Sequence, residues 1–91
     1  MYIEFKLPTG AGGMAAGYTK MTISKQLAKI AREHNIKIID AVSMGYTHCV
    51  ELSEHDLTLL ALCWDSKNQW HKFTVHRDKT VKDLRDLLAQ K

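Results

Sequence analysis

The chain has 91 residues, of which 45% are hydrophobic and 25% charged, and its formal net charge is +3. This length suits one small domain, and the composition is typical of a globular protein rather than a disordered one. The sequence has no run of about 18 apolar residues that could cross a membrane, no apolar signal segment in "MYIEFKLP" and only two cysteines, so we expect a single domain over residues 1–91 in the cytoplasm.

The charges are distributed unevenly along the chain. Residues 1–37 carry six Lys/Arg and two Glu, residues 38–66 carry five acidic residues and no Lys or Arg, and residues 67–91 carry seven Lys/Arg and three Asp. Two interpretations are open. The acidic middle pairs with the basic ends across the fold, or the surface presents areas of opposite sign, one of which suits an anionic partner.

The first third of the chain predicts a strand, a loop and a helix. "YIEFKL" alternates apolar and polar residues, as a half-buried strand does, and Pro8 ends it. The Gly- and Ala-rich stretch "TGAGGMAAG" has no periodicity and is predicted to be a loop. A helix is then predicted from Thr22, as N-cap, to about His34, with Asn35 as C-cap. Its apolar stripe consists of Ile23, Leu27, Ile30 and Ala31.

The remaining chain predicts three strands and a final helix. "IKIIDAVSM" indicates a strand that "YTHCVEL" continues, with Gly45 as a turn or a bulge. "LTLLALCW", apolar on both faces, indicates a central strand. "DSKN" is typical of a hairpin turn that leads into a strand in "QWHKFTVH". Thr80 and Asp83 resemble a capping box at the start of the last helix.

The predicted fold class is therefore α+β. We expect a two-layer sandwich with the element order β-α-β-β-β-α, in which two helices lie on one face of a mainly antiparallel sheet. The first strand would be exposed at the edge of this sheet, where it could pair with a second copy or with another protein.

Four glycines in the loop form a candidate phosphate-binding site. They are Gly10, Gly12, Gly13 and Gly17. Gly10, Gly12 and Ala15 fit the spacing G-x-G-x-x-G/A, and Asp40 ends a strand where a ribose-binding acid would lie. Against this, each glycine inside a helix destabilises it by about 1 kcal/mol relative to Ala, and the later elements predict antiparallel strands. A surface loop that becomes ordered on a partner is the alternative.

A row of basic residues forms a second candidate site. Lys25, Lys29 and Arg32 recur at helical spacing opposite the apolar stripe, and Lys20 precedes them in the loop. Such a row could follow a phosphate backbone, with Trp70, Lys72 and Tyr46 adding stacking and charge. The same pattern also occurs on helix faces that only contact solvent.

The histidines and cysteines do not predict a metal, cofactor or catalytic site. No C-x-x-C or H-x-x-x-H pair is present in the sequence. Cys49 and Cys63 lie in the stretch without Lys or Arg, where a reactive thiolate is not favoured, and Cys63 is expected to be a core residue. We therefore expect a protein that is not an enzyme and that holds no cofactor.

The sequence as a whole favours a small binding protein that acts by protein–protein interaction. Its contacts would come from a sheet edge, the glycine loop or the basic helix, and a homodimer is one form that such pairing would take. The first alternative is nucleic-acid binding through the basic helix face. The second is nucleotide or small-ligand binding at the glycine loop.

Overall fold

A computed structural model describes residues 1–10, 13–65 and 67–89 of the chain. Four strands form one antiparallel sheet in the order β2-β3-β1-β4, and three helices pack against it, so the fold is α+β as predicted. In chain order the elements are β1 (Tyr2–Lys6), α1 (Met14–His34), β2 (Asp40–Met44), β3 (Thr47–Glu51), α2 (Glu54–Cys63), β4 (Phe73–His76) and α3 (Val81–Ala89).

The first six elements have the order β-α-β-β-α-β, which is that of the ferredoxin-like arrangement, and α3 follows as an addition. Between α2 and β4 the chain makes a single 3-10 turn at Gln69–His71. In the part of the chain that the structure describes, no helix combines the length and apolar character that a membrane crossing needs.

The helices cover both faces of the sheet. On one face, Ile3 and Phe5 of β1 belong to the core that α1 and α2 complete. On the opposite face, Tyr2 and Cys49 are buried with Val81 and Leu84 of α3 in a smaller cluster. The predicted two-layer arrangement, with the basic helix and the last helix on one face, is therefore wrong. Tyr2 belongs to the face of β1 that the alternation predicted to be polar, yet it is buried against α3.

The predicted central strand over "LTLLALCW" is also wrong, because these residues belong mostly to α2. Ser53 is the N-cap of this helix, and its side chain accepts a hydrogen bond from the Asp56 N–H at 3.1 Å. An apolar run without alternation fits a buried strand or a helix equally well, and here the capping residues settle which one forms. The observed order is β-α-β-β-α-β-α.

Helix α1 begins at Met14 rather than at Thr22. Ala16 and Thr19 are buried and continue the apolar stripe toward the N-terminus. The N-cap is Gly13, whose φ of 88° favours glycine, whereas the Thr22 hydroxyl lies inside the helix and donates to the Tyr18 carbonyl at 3.0 Å. The predicted C-cap is confirmed, since Asn35 ends the helix in the left-handed conformation with φ 55°.

Strand β1 lies inside the sheet and not at its edge. It pairs with β3 on one side and with β4 on the other, for example through Ile3, which is opposite Val50 and Val75. The prediction of an exposed first strand is therefore wrong. The two edges of the sheet are β2 and β4.

The predicted capping box at the start of α3 is confirmed. Thr80 and Asp83 bond reciprocally: the Thr80 N–H donates to Asp83 Oδ2 at 2.9 Å, and the Asp83 N–H donates to Thr80 Oγ1 at 3.2 Å. These bonds occupy donors at a helix start that would otherwise lack partners.

Candidate functional site

An apolar groove runs between α2 and the edge strand β4. Five apolar residues contributed by these two elements line most of it, and they are Leu57, Ala61, Leu62, Phe73 and Val75. Leu62 is 80% exposed, so its side chain adds accessible apolar surface to the groove. The groove therefore places accessible apolar surface directly beside a strand that pairs on one side only.

Trp64 builds the end of the groove at which β4 begins. It is only 8% exposed, and its ring centroid lies 5.5 Å from that of Phe5 and 6.5 Å from that of Phe73. Its indole N–H donates to the His71 carbonyl at 2.6 Å. This bond holds the 3-10 turn before β4, so the position of the edge strand depends on a core residue.

Charged side chains lie at both ends of the groove. At one end Arg77 Nε donates to Glu54 Oε1 at 2.6 Å, which connects the end of β4 to the start of α2. At the other end Lys72 is exposed. Arg77 and Glu54 therefore pair with each other, whereas Lys72 has no carboxylate within 4.0 Å among the described residues.

The opposite edge, β2, is occupied by contacts from within the chain. The Ala41 N–H donates to Asp40 Oδ1 at 2.8 Å, and the Ala41 carbonyl accepts from Arg85 Nη2 at 2.6 Å. Arg85 also pairs with Asp40 at 2.9 Å, and this hydrogen bond, followed by that from the Ala41 N–H, lowers the pKa of the Asp40 carboxyl. A strand whose edge groups already have partners offers little to an incoming strand.

The predicted basic row lies on the solvent-facing side of α1. Lys25, Lys29 and Arg32 are exposed, and within the described residues no carboxylate lies within 4.0 Å of them. Lys20 is in the helix and not in the preceding loop, and helical periodicity places it about 140° around the axis from Lys25. The exposed row instead continues toward the N-terminus through Met21, Tyr18 and Met14.

Lys20 lies near His48 on β3. His48 is buried, and its Nδ1 lies 2.9 Å from Ser43 Oγ. Burial lowers the pKa of His48, and the positive charge of Lys20 lowers it further. The structure thus separates Lys20 from the other three basic residues with which the sequence grouped it.

The glycine loop and Asp40 do not come together in the structure. Gly10 and Gly13 have φ values of 135° and 88°, Gly12 lies outside the described residues, and Gly17 is inside α1. Asp40 is on the sheet face that carries α3, whereas α1 covers the opposite face. The predicted ribose-binding role of Asp40 therefore has no geometric support, since its carboxylate already binds Arg85.

The prediction that Cys63 is a core residue is wrong. Cys63 is exposed, and its Sγ lies 3.3 Å from His34 Nε2, whereas Cys49 is the core residue. Burial, followed by the nearby charge of Glu4, raises the pKa of the Cys49 thiol to about 11. In the described ranges no three His, Cys, Asp or Glu side chains converge as they would around a metal ion.

No protein-family model, no curated protein and no solved structure matches this chain. A function for this chain is therefore inferred from its geometry alone. The sequence analysis did not predict the free β4 edge or its groove. Ser53 and Asp56 have the spacing of a capping box, and this spacing could have indicated that the following apolar run is helical.

Proposed function

We propose that this protein is a non-enzymatic binding protein that takes up an extended segment of a partner protein along β4. The observation that supports this most strongly is the juxtaposition of an edge strand with an apolar groove. In the described part of the chain, β1 is the only strand that pairs with β4. An added strand would gain main-chain hydrogen bonds from the edge and specificity from the groove.

The size of the edge suits a short segment. Phe73–His76 spans about 13 Å, and alternate residues offer up to about four main-chain hydrogen bonds, each contributing about 1 kcal/mol. Burial of Leu62 by an apolar side chain of the segment would add about 2 kcal/mol. Recognition would therefore be shared between the backbone of the segment and one or two of its side chains.

The charges at the ends of the groove indicate the composition of the segment. Lys72 is exposed at one end, and Arg77 at the other shares its charge with Glu54. An acidic residue beside the apolar centre would complement Lys72 at its end of the groove. The expected segment is thus four to six residues long, apolar on the face toward α2 and acidic at the terminus near Lys72.

Selection of linear peptides from a random library on the immobilised protein tests this proposal. Peptides with the expected pattern should be enriched, and Leu62→Glu should lower their affinity by about tenfold or more, because it places a charge against apolar side chains. The matched control is Leu87→Glu, since Leu87 is also exposed but lies on α3. Equal affinity of the wild type and Leu62→Glu for the selected peptides would contradict the proposal.

A second copy of the chain is one partner that could use the same edge. Pairing of β4 with β4 of another molecule would join two sheets into one and give a homodimer. Sedimentation equilibrium measures this directly. A dimer that dissociates in Leu62→Glu but persists in Leu87→Glu would identify the second copy as the partner.

Nucleic-acid binding through α1 is a second candidate function. The observation that favours it is that Lys25, Lys29 and Arg32 share one exposed line, which Tyr18 extends with an aromatic ring. Replacing the three basic residues by Glu should abolish retention on a polyanion column at low salt. The control with the same change in charge replaces Lys67, Lys79 and Lys82, and equal retention of the two variants would remove this candidate.

A further inference from the structure

The sheet face that carries α3 has a second concave site. Helix α3 packs on β2 and β3 and over Tyr2 at one end of β1. The other end of β1, with the adjoining start of β4, is open to solvent on this face. A depression there is lined by Glu4, Lys6, Gln69, Trp70, Lys72 and Thr74. It lies on the opposite side of β4 from the apolar groove.

Two lysines, Lys6 and Lys72, line this depression together. The register of β1 with β4 ends where Phe5 lies opposite Phe73, and each lysine is the next residue beyond that pair. Both are exposed, and in the described part of the chain neither has a carboxylate within 4.0 Å. Like charges that line one depression repel each other, so an anion bound between them would relieve this repulsion.

The carboxylate in the depression pairs with a histidine rather than with either lysine. Glu4 Oε1 lies 2.8 Å from His76 Nε2, and this contact directs it toward β4. His76 is in turn stacked on Tyr2, with ring centroids 4.6 Å apart. The carboxylate is therefore held by a neighbour, and the end of the depression near Lys6 remains cationic.

Trp70 provides an aromatic surface beside the lysines. It is half-buried, and among the described residues no other aromatic ring packs against it. Trp64, by contrast, packs against three aromatic or imidazole rings in the core. An indole without an aromatic neighbour in an open depression can stack on a nucleobase, and Gln69 and Thr74 add an amide and a hydroxyl that can bond its polar edge.

We propose that this depression binds a nucleotide, with the base stacked on Trp70 and the phosphate between Lys6 and Lys72. The chemistry recognised is a nucleoside that bears a phosphate, either free or within a single-stranded nucleic acid. Lys72 borders both this site and the apolar groove. Lys6 and Trp70 belong to this site alone, so the two proposals can be tested separately.

Titration with adenosine 5′-monophosphate tests the site, with tryptophan emission and amide chemical shifts as readouts. Trp70 is the more accessible of the two tryptophans, so saturable quenching at millimolar nucleotide is expected, with shifts at Lys6, Trp70 and Thr74. Adenosine and ribose 5-phosphate each lack one half of the ligand, and each should bind about tenfold more weakly.

Three single variants separate the two halves of the site. Lys6→Gln should weaken binding of the monophosphate by about tenfold and leave adenosine unaffected, because it removes only a phosphate contact. Trp70→Ala should weaken the monophosphate to a similar degree and leave ribose 5-phosphate unaffected. Lys67→Gln, at an exposed lysine outside the depression, is the control and should bind like the wild type.

A 5′-phosphorylated trinucleotide distinguishes a free nucleotide from a nucleic acid. Tighter binding of the trinucleotide than of the monophosphate, lost in Lys6→Gln, supports the site with a nucleic acid as its source. Equal or weaker binding, also lost in Lys6→Gln, supports the site with a free nucleotide. Absence of saturable binding, wild-type affinity in both Lys6→Gln and Trp70→Ala, or shifts confined to residues around Gly10 and Gly13 would overturn the proposal.

Discussion

The two edges of the sheet differ in what occupies their backbone groups. At β2 a side-chain clamp binds both the N–H and the carbonyl of Ala41, through Asp40 and Arg85 respectively. At β4 the described residues provide no such clamp, and the adjoining surface is apolar rather than charged. Both edges belong to the same sheet, so general sheet geometry does not account for the difference.

The two edge strands also differ in the residues that hold them in position. Strand β4 follows a turn that is bonded to Trp64 in the core, whereas β2 is held at its outer side by an exposed ion pair. A firmly supported strand with a free edge is suited to accept another strand. A clamped strand is suited to remain at the edge of the sheet without pairing further.

The largest expected effect is on stability, from Trp64→Ala. This change removes a side chain that is 8% exposed and packs against Phe5 and Phe73, so it should lower the free energy of unfolding by about 3–5 kcal/mol. Denaturant unfolding measures it. The control Leu62→Ala alters a side chain that is 80% exposed and should change the stability by less than about 0.5 kcal/mol. Similar losses in both variants would mean that β4 is not supported from the core.

The next effect is on binding and comes from Ala61, which lines the groove on the α2 side. Ala61→Arg places a long cationic side chain where a segment would lie, and we expect it to reduce peptide affinity about tenfold while the protein remains folded. Circular dichroism and fluorescence anisotropy give the two readouts. Thr58→Arg, toward the Arg77 end of the groove, should reduce peptide affinity less than Ala61→Arg does. A larger loss of affinity in Thr58→Arg would contradict the proposed position of the segment.

A smaller effect is expected when the β2 clamp is removed. Arg85→Ala frees the Ala41 carbonyl and the Asp40 carboxylate, so amide exchange along the outer side of β2 should accelerate while exchange in β1 stays slow. Arg77→Ala removes the corresponding arginine at the β4 end and should leave the β2 amides unchanged. Unchanged protection of β2 in Arg85→Ala would show that the clamp does not protect this edge.

The smallest effect is a dependence of the same edge on pH. The pKa of Asp40 is lowered in the folded protein, so its ionised form stabilises the fold above the ordinary carboxyl pKa, and this contribution is lost as the pH falls through the lowered value. Protection factors at β2 should therefore fall below about pH 4, and those at β4 should not follow.

Two variants identify the carboxyl that is responsible. Asp40→Asn should show the loss of β2 protection already at neutral pH and little further change in acid. Asp83 also has a lowered pKa, because it accepts hydrogen bonds from Thr80, so Asp83→Asn is the control. If Asp83→Asn abolishes the acid effect and Asp40→Asn retains it, the helix cap rather than the clamp explains it.

Local signals predicted much of the fold. The alternation in β1, the Asn35 cap at the end of α1 and the Thr80–Asp83 capping box each depend on residues close together in sequence. The apolar run that forms α2 has no periodicity to distinguish helix from strand, and assigning it as a strand placed it beside β4. That assignment covered the edge that is free in the structure and left β1 exposed instead.

The features of the candidate site depend on contacts between distant residues. Asp40 and Arg85 are separated by 45 positions, and no spacing rule connects them. The lysines at 6 and 72 become neighbours only through the pairing of β1 with β4. The basic row on α1 was predictable because all of its members lie on one helix, and Lys20 was misplaced because the start of that helix was set too late.

Amide hydrogen exchange on the free protein and on its complex with a selected peptide tests the central claim most directly. We expect new protection at the outward-facing amides of Phe73–His76, together with chemical-shift changes at Leu62, and no change at Ala41 on the clamped edge. Protection that appears at β2 or along the outer face of α1, while the β4 amides exchange as they do in the free protein, would contradict strand addition at β4.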